Sequence, residues 1–127
     1  MKRQAIALVL AALSCAAMAD WQRVSENSET VGYYDPATVV RTDDGVSVSE
    51  LHDFKRVATT VTDSLFRSTN TQRIYDCANL RARIITVQPY DGQMGEGQAL
   101  APMNVDGEWQ PVVAGTARAD LLNILCK

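Results

Sequence analysis

The architecture follows from the last thirteen residues of the chain, Gly115-Thr116-Ala117-Arg118-Ala119-Asp120-Leu121-Leu122-Asn123-Ile124-Leu125-Cys126-Lys127. From Ala117 to Cys126 the apolar residues recur every three or four positions, which is the spacing of one face of an α-helix. Thr116 precedes them, and threonine often caps the first turn of a helix. Because a helix of about ten residues is marginal alone in water, we expect this one to pack its apolar face against the rest of the chain.

A cysteine in the middle of the chain, Cys77, is the predicted partner of Cys126. Exported domains of this size often depend on a disulfide, since their hydrophobic core is small. A bond between the two cysteines closes a loop with 48 intervening residues, which the chain-entropy model values at about 4 kcal/mol. We therefore predict this disulfide; the alternative is a pair of free thiols that pack without bonding.

Upstream of the helix, the chain has the pattern of antiparallel strands. Short runs rich in Val, Ile, Thr and Tyr are separated by Asp-Gly turn signals at residues 44–45, 91–92 and 106–107, which is typical of a meander. The predicted strands are 21–24, 31–34, 38–41, 46–48, 65–77, 84–87 and 98–100, and the polar residues 68–72 are expected to interrupt the fifth. The predicted fold is α+β: a single antiparallel sheet of about six strands with the C-terminal helix packed on one face and tied by the disulfide.

Residues 1–19 have the basic start, apolar stretch and small-residue end, Ala17-Met18-Ala19, of a secretory signal peptide. We expect cleavage after Ala19, which leaves one domain, residues 20–127. A transmembrane anchor is the first alternative, but the apolar stretch is well short of the ~20 residues that span a bilayer. The second alternative is a lipoprotein signal, in which Cys15 becomes the lipidated first residue. The chain is thus expected in the periplasm, or associated with the outer membrane or cell surface.

The charge of the chain bears on its partners. The whole sequence has a formal net charge of −3, and removal of Lys2 and Arg3 leaves ten basic and fifteen acidic residues, a net charge of −5. Nucleic acids and anionic membranes both favour a basic face. We therefore expect neither a nucleic acid nor an anionic membrane surface as the main partner. We also expect no transmembrane segment, because the apolar stretch of the signal is too short to span a bilayer.

Catalytic, metal and cofactor sites have no convincing pattern in the sequence. Nucleophilic catalysis needs a nucleophile with an oriented base, and His52 is the one histidine, which we interpret as structural or solvent-facing. Cys-x-x-Cys and His-x-x-x-His spacings are missing, and Asp43-Asp44-Gly45 lacks the further oxygen ligands of a calcium loop. The glycines of 92–97 do not form a dinucleotide fingerprint. We expect a non-enzymatic protein with no cofactor.

Arginines concentrate in the middle of an otherwise acidic chain and form a candidate binding patch: Arg67, Arg73, Arg81 and Arg83. The alternative is an ordinary solvated strand face. In an uninterrupted strand, Cys77 would share a face with Arg81 and Arg83. Either a bulge near Ala78-Asn79 changes the alternation, or these arginines border the helix side of the sheet.

Several short motifs resemble, in order and spacing, the surface-adhesin protein E family of bacterial envelope proteins. They are Tyr33-Tyr34-Asp35, Tyr75-Asp76-Cys77 with Arg81 and Arg83, Tyr90-Asp91-Gly92 followed by Met94-Gly95-Glu96-Gly97, Trp109, and the closing residues 121–126. The resemblance implies an antiparallel sheet with a C-terminal helix tied by a disulfide. It also implies adhesion to host proteins, although many relatives are exported proteins without an assigned activity.

The leading functional hypothesis is a non-enzymatic envelope or periplasmic domain that binds a protein partner of unknown identity. The alternative is a small periplasmic inhibitor of an envelope-directed enzyme such as a lysozyme, which size, export and the disulfide suggest. A homodimer is also conceivable, because an open antiparallel sheet must cover its edges.

Overall fold

A computed structural model describes residues 19–127, which form a six-stranded antiparallel sheet followed by one helix. The strands are neighbours in the order of the sequence. Cys15 and the predicted signal peptide, up to residue 18, lie outside the described residues. The elements are β1 Gln22–Glu26, β2 Thr30–Thr42, β3 Gly45–Thr59, β4 Leu65–Asp76, β5 Arg81–Tyr90, a 3-10 helix at Gln93–Gly95, β6 Gln110–Pro111 and α1 Ala117–Leu125.

The β2–β3 hairpin confirms the turn predicted at Asp43-Asp44-Gly45. Thr42 pairs with Gly45, so Asp43 and Asp44 alone form the loop. Gly45 has φ of 142°, a conformation that glycine adopts far more readily than other residues. β2 also joins the two strands predicted at 31–34 and 38–41 into one, with an irregular register between Asp35 and Val40.

The predicted interruption of β4 at residues 68–72 is wrong, because β4 pairs along this stretch with both β3 and β5. Its polar side chains find partners inside the sheet. The Ser68 hydroxyl donates to the Gly92 carbonyl (2.6 Å) and accepts from the Gly95 amide, while the Gln72 amide donates to the Ser49 hydroxyl. Buried polar groups with hydrogen-bond partners are tolerated in a strand, so polarity alone did not indicate a loop.

The turn between β4 and β5 determines on which face of the sheet Arg81 and Arg83 lie. Residues 77–80 form a turn, and Leu80 adopts a positive φ of 51°. The chain therefore reverses direction instead of continuing through a bulge. Tyr75 pairs with Ala82 on the helix side of the sheet. Since side chains alternate along a strand, Arg81 and Arg83 start from the face opposite to Ala82, and the bulge predicted near Ala78-Asn79 is replaced by this turn.

The segment after β5 is less regular than predicted. β5 continues through Tyr90, and the turn that follows contains the 3-10 helix. The strand predicted at 98–100 is reduced to an isolated bridge between Tyr90 and Ala99. β6 has two residues, of which Gln110 pairs with Ala82, directly after Trp109.

The C-terminal helix packs on one face of the sheet, as predicted. Leu121, Leu122 and Leu125 are buried against a set of sheet residues that comprises Val46, Val48, Tyr75 and Ala82. Thr116 caps the helix, since its hydroxyl accepts a hydrogen bond from the Ala119 amide (3.2 Å). The predicted disulfide is present between Cys77 and Cys126, whose Cα atoms are 5.7 Å apart. None of the helices within residues 19–127 has the length and apolar character needed to cross a membrane.

Candidate functional site

A buried polar cluster lies on the helix side of the sheet. Arg73 Nε donates to Glu50 Oε2 (2.9 Å), and the Tyr75 hydroxyl donates to the same oxygen (2.9 Å). The side chains of Arg73 and Glu50 are only 8% and 6% exposed. β3 and β4 bring them together, because Glu50 faces Thr71 across the pair and Arg73 is two residues further on the same face. Removal of either partner would leave the other charge buried without its counterion, which is strongly destabilising.

Burial and neighbouring charges shift two pKa values next to this pair. Burial raises the pKa of Tyr75 strongly, and the Glu50 carboxylate adds to this effect. Tyr75 therefore stays a neutral hydrogen-bond donor. Burial lowers the pKa of His52; Glu50 opposes this shift, while Arg73 and Arg118 add to it. We interpret His52 as a neutral structural residue at physiological pH.

Two of the four predicted arginines meet around Trp109. The guanidinium carbon of Arg81 is 4.4 Å from the centre of the Trp109 ring, and that of Arg83 is 5.4 Å away. These distances are typical of cation–π contacts. Arg81 Nε also donates to Asp76 Oδ2 (2.8 Å), and the Arg81 side chain is 41% exposed. We call Arg81, Arg83 and Trp109 the arginine–tryptophan cluster.

Hydrogen bonds fix the acidic neighbour of this cluster. The side chains of Asn79 and Arg81 both donate to Asp76 Oδ2. These bonds, first from Asn79 and then from Arg81, lower the pKa of Asp76 to about 2. Asp76 is therefore ionised throughout the physiological pH range and holds Arg81 in place.

The other two predicted arginines lie elsewhere. Arg73 belongs to the buried pair with Glu50. Arg67 is half-buried six positions before Arg73 on β4, a spacing of roughly 20 Å along the strand. Its Nε is buried without a hydrogen-bond partner among the described residues. The structure thus brings Arg81 and Arg83 together and leaves Arg67 and Arg73 apart from them on β4, and a binding role for any of the four stays a prediction.

The described residues, 19–127, contain neither a group of metal-ligating side chains nor a free cysteine thiol. Over residues 19–127, no three His, Cys, Asp or Glu side chains are placed so that they could hold a metal ion. Cys77 and Cys126 are both consumed by the disulfide.

The family model of surface-adhesin protein E matches residues 21–127, which is nearly all of the described chain. The chain belongs to the surface-adhesin protein E family. This match confirms the resemblance noted in the sequence and covers both the sheet and the terminal helix. A comparison with curated proteins gives no match.

Solved structures of protein E from Haemophilus influenzae have the same fold. One has a TM-score of 0.68 at 18% sequence identity, covering 84% of this chain and 83% of that chain. A second crystal form gives a TM-score of 0.65 at 16% identity, with coverage of 81% and 91%. A structure of protein E from non-typeable Haemophilus influenzae has a TM-score of 0.66 at 18% sequence identity. The match covers 84% of this chain and 74% of that chain. At these identities the comparison shows the shared fold, and it transfers no ligand residue.

Sequence reasoning missed two features of the candidate sites. Trp109 entered the sequence analysis only as a family motif, and nothing in its local sequence indicates that it would lie against two arginines of β5. Glu50 was not singled out either. Its signal was the alternation Val46, Val48, Glu50, His52, which puts an acidic residue on the apolar face of β3 and so requires a buried cation.

Proposed function

We propose that this chain is a non-enzymatic, exported envelope domain that binds a protein partner through the arginine–tryptophan cluster. Membership in the surface-adhesin protein E family supports an adhesin-like envelope protein. Adhesion to host proteins is the form of this function that the family suggests. The sequence supports export, through its predicted signal peptide and the disulfide.

The stacking of Arg81 and Arg83 on Trp109 is the observation that carries this proposal. Tryptophan and arginine are the residues most enriched in the energetic centres of protein interfaces. Stacking and the Asp76 contact hold the side chains in one arrangement, so less conformational entropy is lost on binding. The exposed part of Arg81 suits a carboxylate, which favours an acidic segment of the partner.

A quantitative pull-down with the oxidised mature domain tests this function. The bait is incubated with envelope extract and, separately, with host plasma and matrix proteins. A double variant, Arg81→Gln with Arg83→Gln, removes the charges, and Arg41→Gln on the exposed end of β2 serves as the matched control. We expect one partner that wild type and control retain and that the double variant loses about tenfold or more.

Two results would count against this proposal. A partner that the double variant retains at wild-type level would place the interaction on another surface. If neither extract yields a partner that competes with unlabelled domain in solution, the binding function itself fails. The comparisons give no support to the alternative of an inhibitor of an envelope-directed enzyme, and loss of lysozyme activity on titration with the domain would be the result that revives it.

A further inference from the structure

A groove of ≈ 420 Å³ lies on the helix side of the sheet, between β5, the segment 104–111 and the first turn of α1. We call it the β5–α1 groove. Its floor contains Ala82 and Ile84, and arginines and carboxylates line its walls. Sites of this size accommodate small ligands. Arg83, which also belongs to the arginine–tryptophan cluster, lines the groove as well, so the groove and the cluster adjoin at this residue.

Arg73 lines the groove with unused hydrogen-bonding capacity. Its side chain is 8% exposed, and its Nε atom donates to Glu50. The two terminal nitrogens have no hydrogen-bond partner within residues 19–127, and Arg67 Nε is the one buried, unpartnered side-chain nitrogen of that range. The terminal nitrogens of Arg73 therefore reach the space of the groove. A guanidinium edge held in this way can bind a carboxylate with two hydrogen bonds.

A second cation, Arg118, lies beside Arg73. It belongs to the first turn of α1, is exposed, and also lines the groove. Its charge acts on both His52 and Tyr75, lowering the pKa of each, which places it above the buried polar cluster. No ion pair engages Arg118 in the described part of the chain. Glu50 compensates Arg73, and Arg83, which also lines the groove, is stacked on Trp109. Arg118 therefore offers a charge that no other side chain within residues 19–127 engages.

The opposite wall of the groove is acidic. Asp106 and Glu108 line it, both are exposed, and neither forms an ion pair within residues 19–127. Asp106 Oδ1 accepts the Glu108 amide hydrogen (3.0 Å), which shapes the segment. Gln110 pairs with Ala82 on β5 and fixes this segment beside the sheet.

The two walls have opposite charge and lie two strand spacings apart. Arg73 is on β4, and the acidic segment leads into β6 beyond β5. Neighbouring strands are about 4.8 Å apart, so roughly 10 Å separate the backbones of the two walls. An extended peptide advances about 3.3 to 3.6 Å per residue. A peptide of two or three residues therefore matches both the length and the charge of the groove.

We propose that the β5–α1 groove binds a short free peptide, with its C-terminal carboxylate on Arg73 and Arg118 and its N-terminal ammonium near Asp106 and Glu108. The apolar floor of Ala82 and Ile84 favours small, uncharged side chains. This site goes beyond the protein-binding function. Arg83 is common to the groove and the cluster, so the groove is tested at Arg118, Asp106 and Glu108, which the cluster does not contain.

Titration calorimetry of the oxidised mature domain with trialanine tests the proposal. Two blocked forms, trialanine amide and N-acetyl-trialanine, each remove one terminal charge. We expect the free peptide to bind about tenfold or more tightly than the amide, since a charge-assisted pair is lost, and the acetylated form to bind more weakly than the free peptide. Amide NMR shifts should locate the binding at Ala82, Ile84 and Gln110.

Substitutions at exposed positions distinguish loss of the binding site from loss of the fold. Arg118→Gln lies on an exposed turn and should weaken trialanine binding about tenfold, and Asp106→Asn with Glu108→Gln should abolish the preference for a free amino group. Arg56→Gln, on an exposed part of β3, is the matched control and should bind as wild type. The proposal is overturned if trialanine does not bind, if blocking either end makes no difference, or if Arg118→Gln binds normally.

Discussion

His52 makes the stability of this domain sensitive to mild acid. Burial lowers its pKa in the folded chain, so the unfolded chain takes up a proton more readily as the pH falls below the ordinary histidine value of about 6.5. Stability is therefore complete above that value and declines below it. We expect the urea midpoint of wild type to fall more between about pH 7.5 and pH 5.5 than that of His52→Gln. Equal declines in both proteins would exclude His52 as the cause.

Glu50 is the residue whose loss should harm the fold most within the buried polar cluster. Glu50→Ala leaves the Arg73 guanidinium buried without its anion, which typically costs about 3 to 5 kcal/mol. Tyr75→Phe removes a single hydrogen bond to that carboxylate, worth about 1.5 to 3 kcal/mol. The free energy of unfolding measured in urea should be lower for Glu50→Ala than for Tyr75→Phe. The exposed Glu29→Ala should have a free energy of unfolding close to that of wild type. The reverse ranking would show that the ion pair is not the stabilising element.

At the scale of elements, the disulfide holds a short helix that could not persist alone. α1 buries Leu121, Leu122 and Leu125 and is tied to the β4–β5 turn through Cys126. Replacing Cys77 and Cys126 by Ser should destabilise the domain by about 4 kcal/mol in the chain-entropy model. Hydrogen exchange should then show the amides of α1 exchanging before those of β3 and β4. Unchanged protection of α1 in the serine variant would show that its apolar contacts alone are sufficient.

The elements that the sequence predicted well are those with a local physical signal. The period of α1, its Thr116 cap and the β2–β3 turn depend on neighbouring residues and are confirmed. The uninterrupted β4 and the reduced strand at 98–100 depend on partners far along the chain. Polar residues 68–72 become strand because β3, β5 and the Gly92 turn satisfy them. Pairing with strands far along the chain cannot be predicted from a short window of sequence.

For the whole molecule, an open sheet has outer strands that must be protected from pairing with another chain. β1 is the first strand in the order of the sheet, and it carries an ion pair between Arg23 and Glu26, with Lys55 of β3 also bound to Glu26. Charged side chains on an outer strand oppose pairing with another chain. If the chain forms a homodimer, we therefore expect the contact on a sheet face and not along β1.

The start of the folded domain bears on how the chain is processed. β1 begins at Gln22, so cleavage after Ala19 would release the whole sheet intact. Cleavage before Cys15 would instead leave a short lipid-anchored tether in front of β1. We expect intact-mass analysis of protein from the envelope fraction to give a chain that begins at Asp20, with two mass units lost to the disulfide, and Cys15→Ala to be processed identically. A heavier product that begins at a lipidated Cys15, together with failure of Cys15→Ala to mature, would establish the lipoprotein alternative and place the domain at a membrane surface.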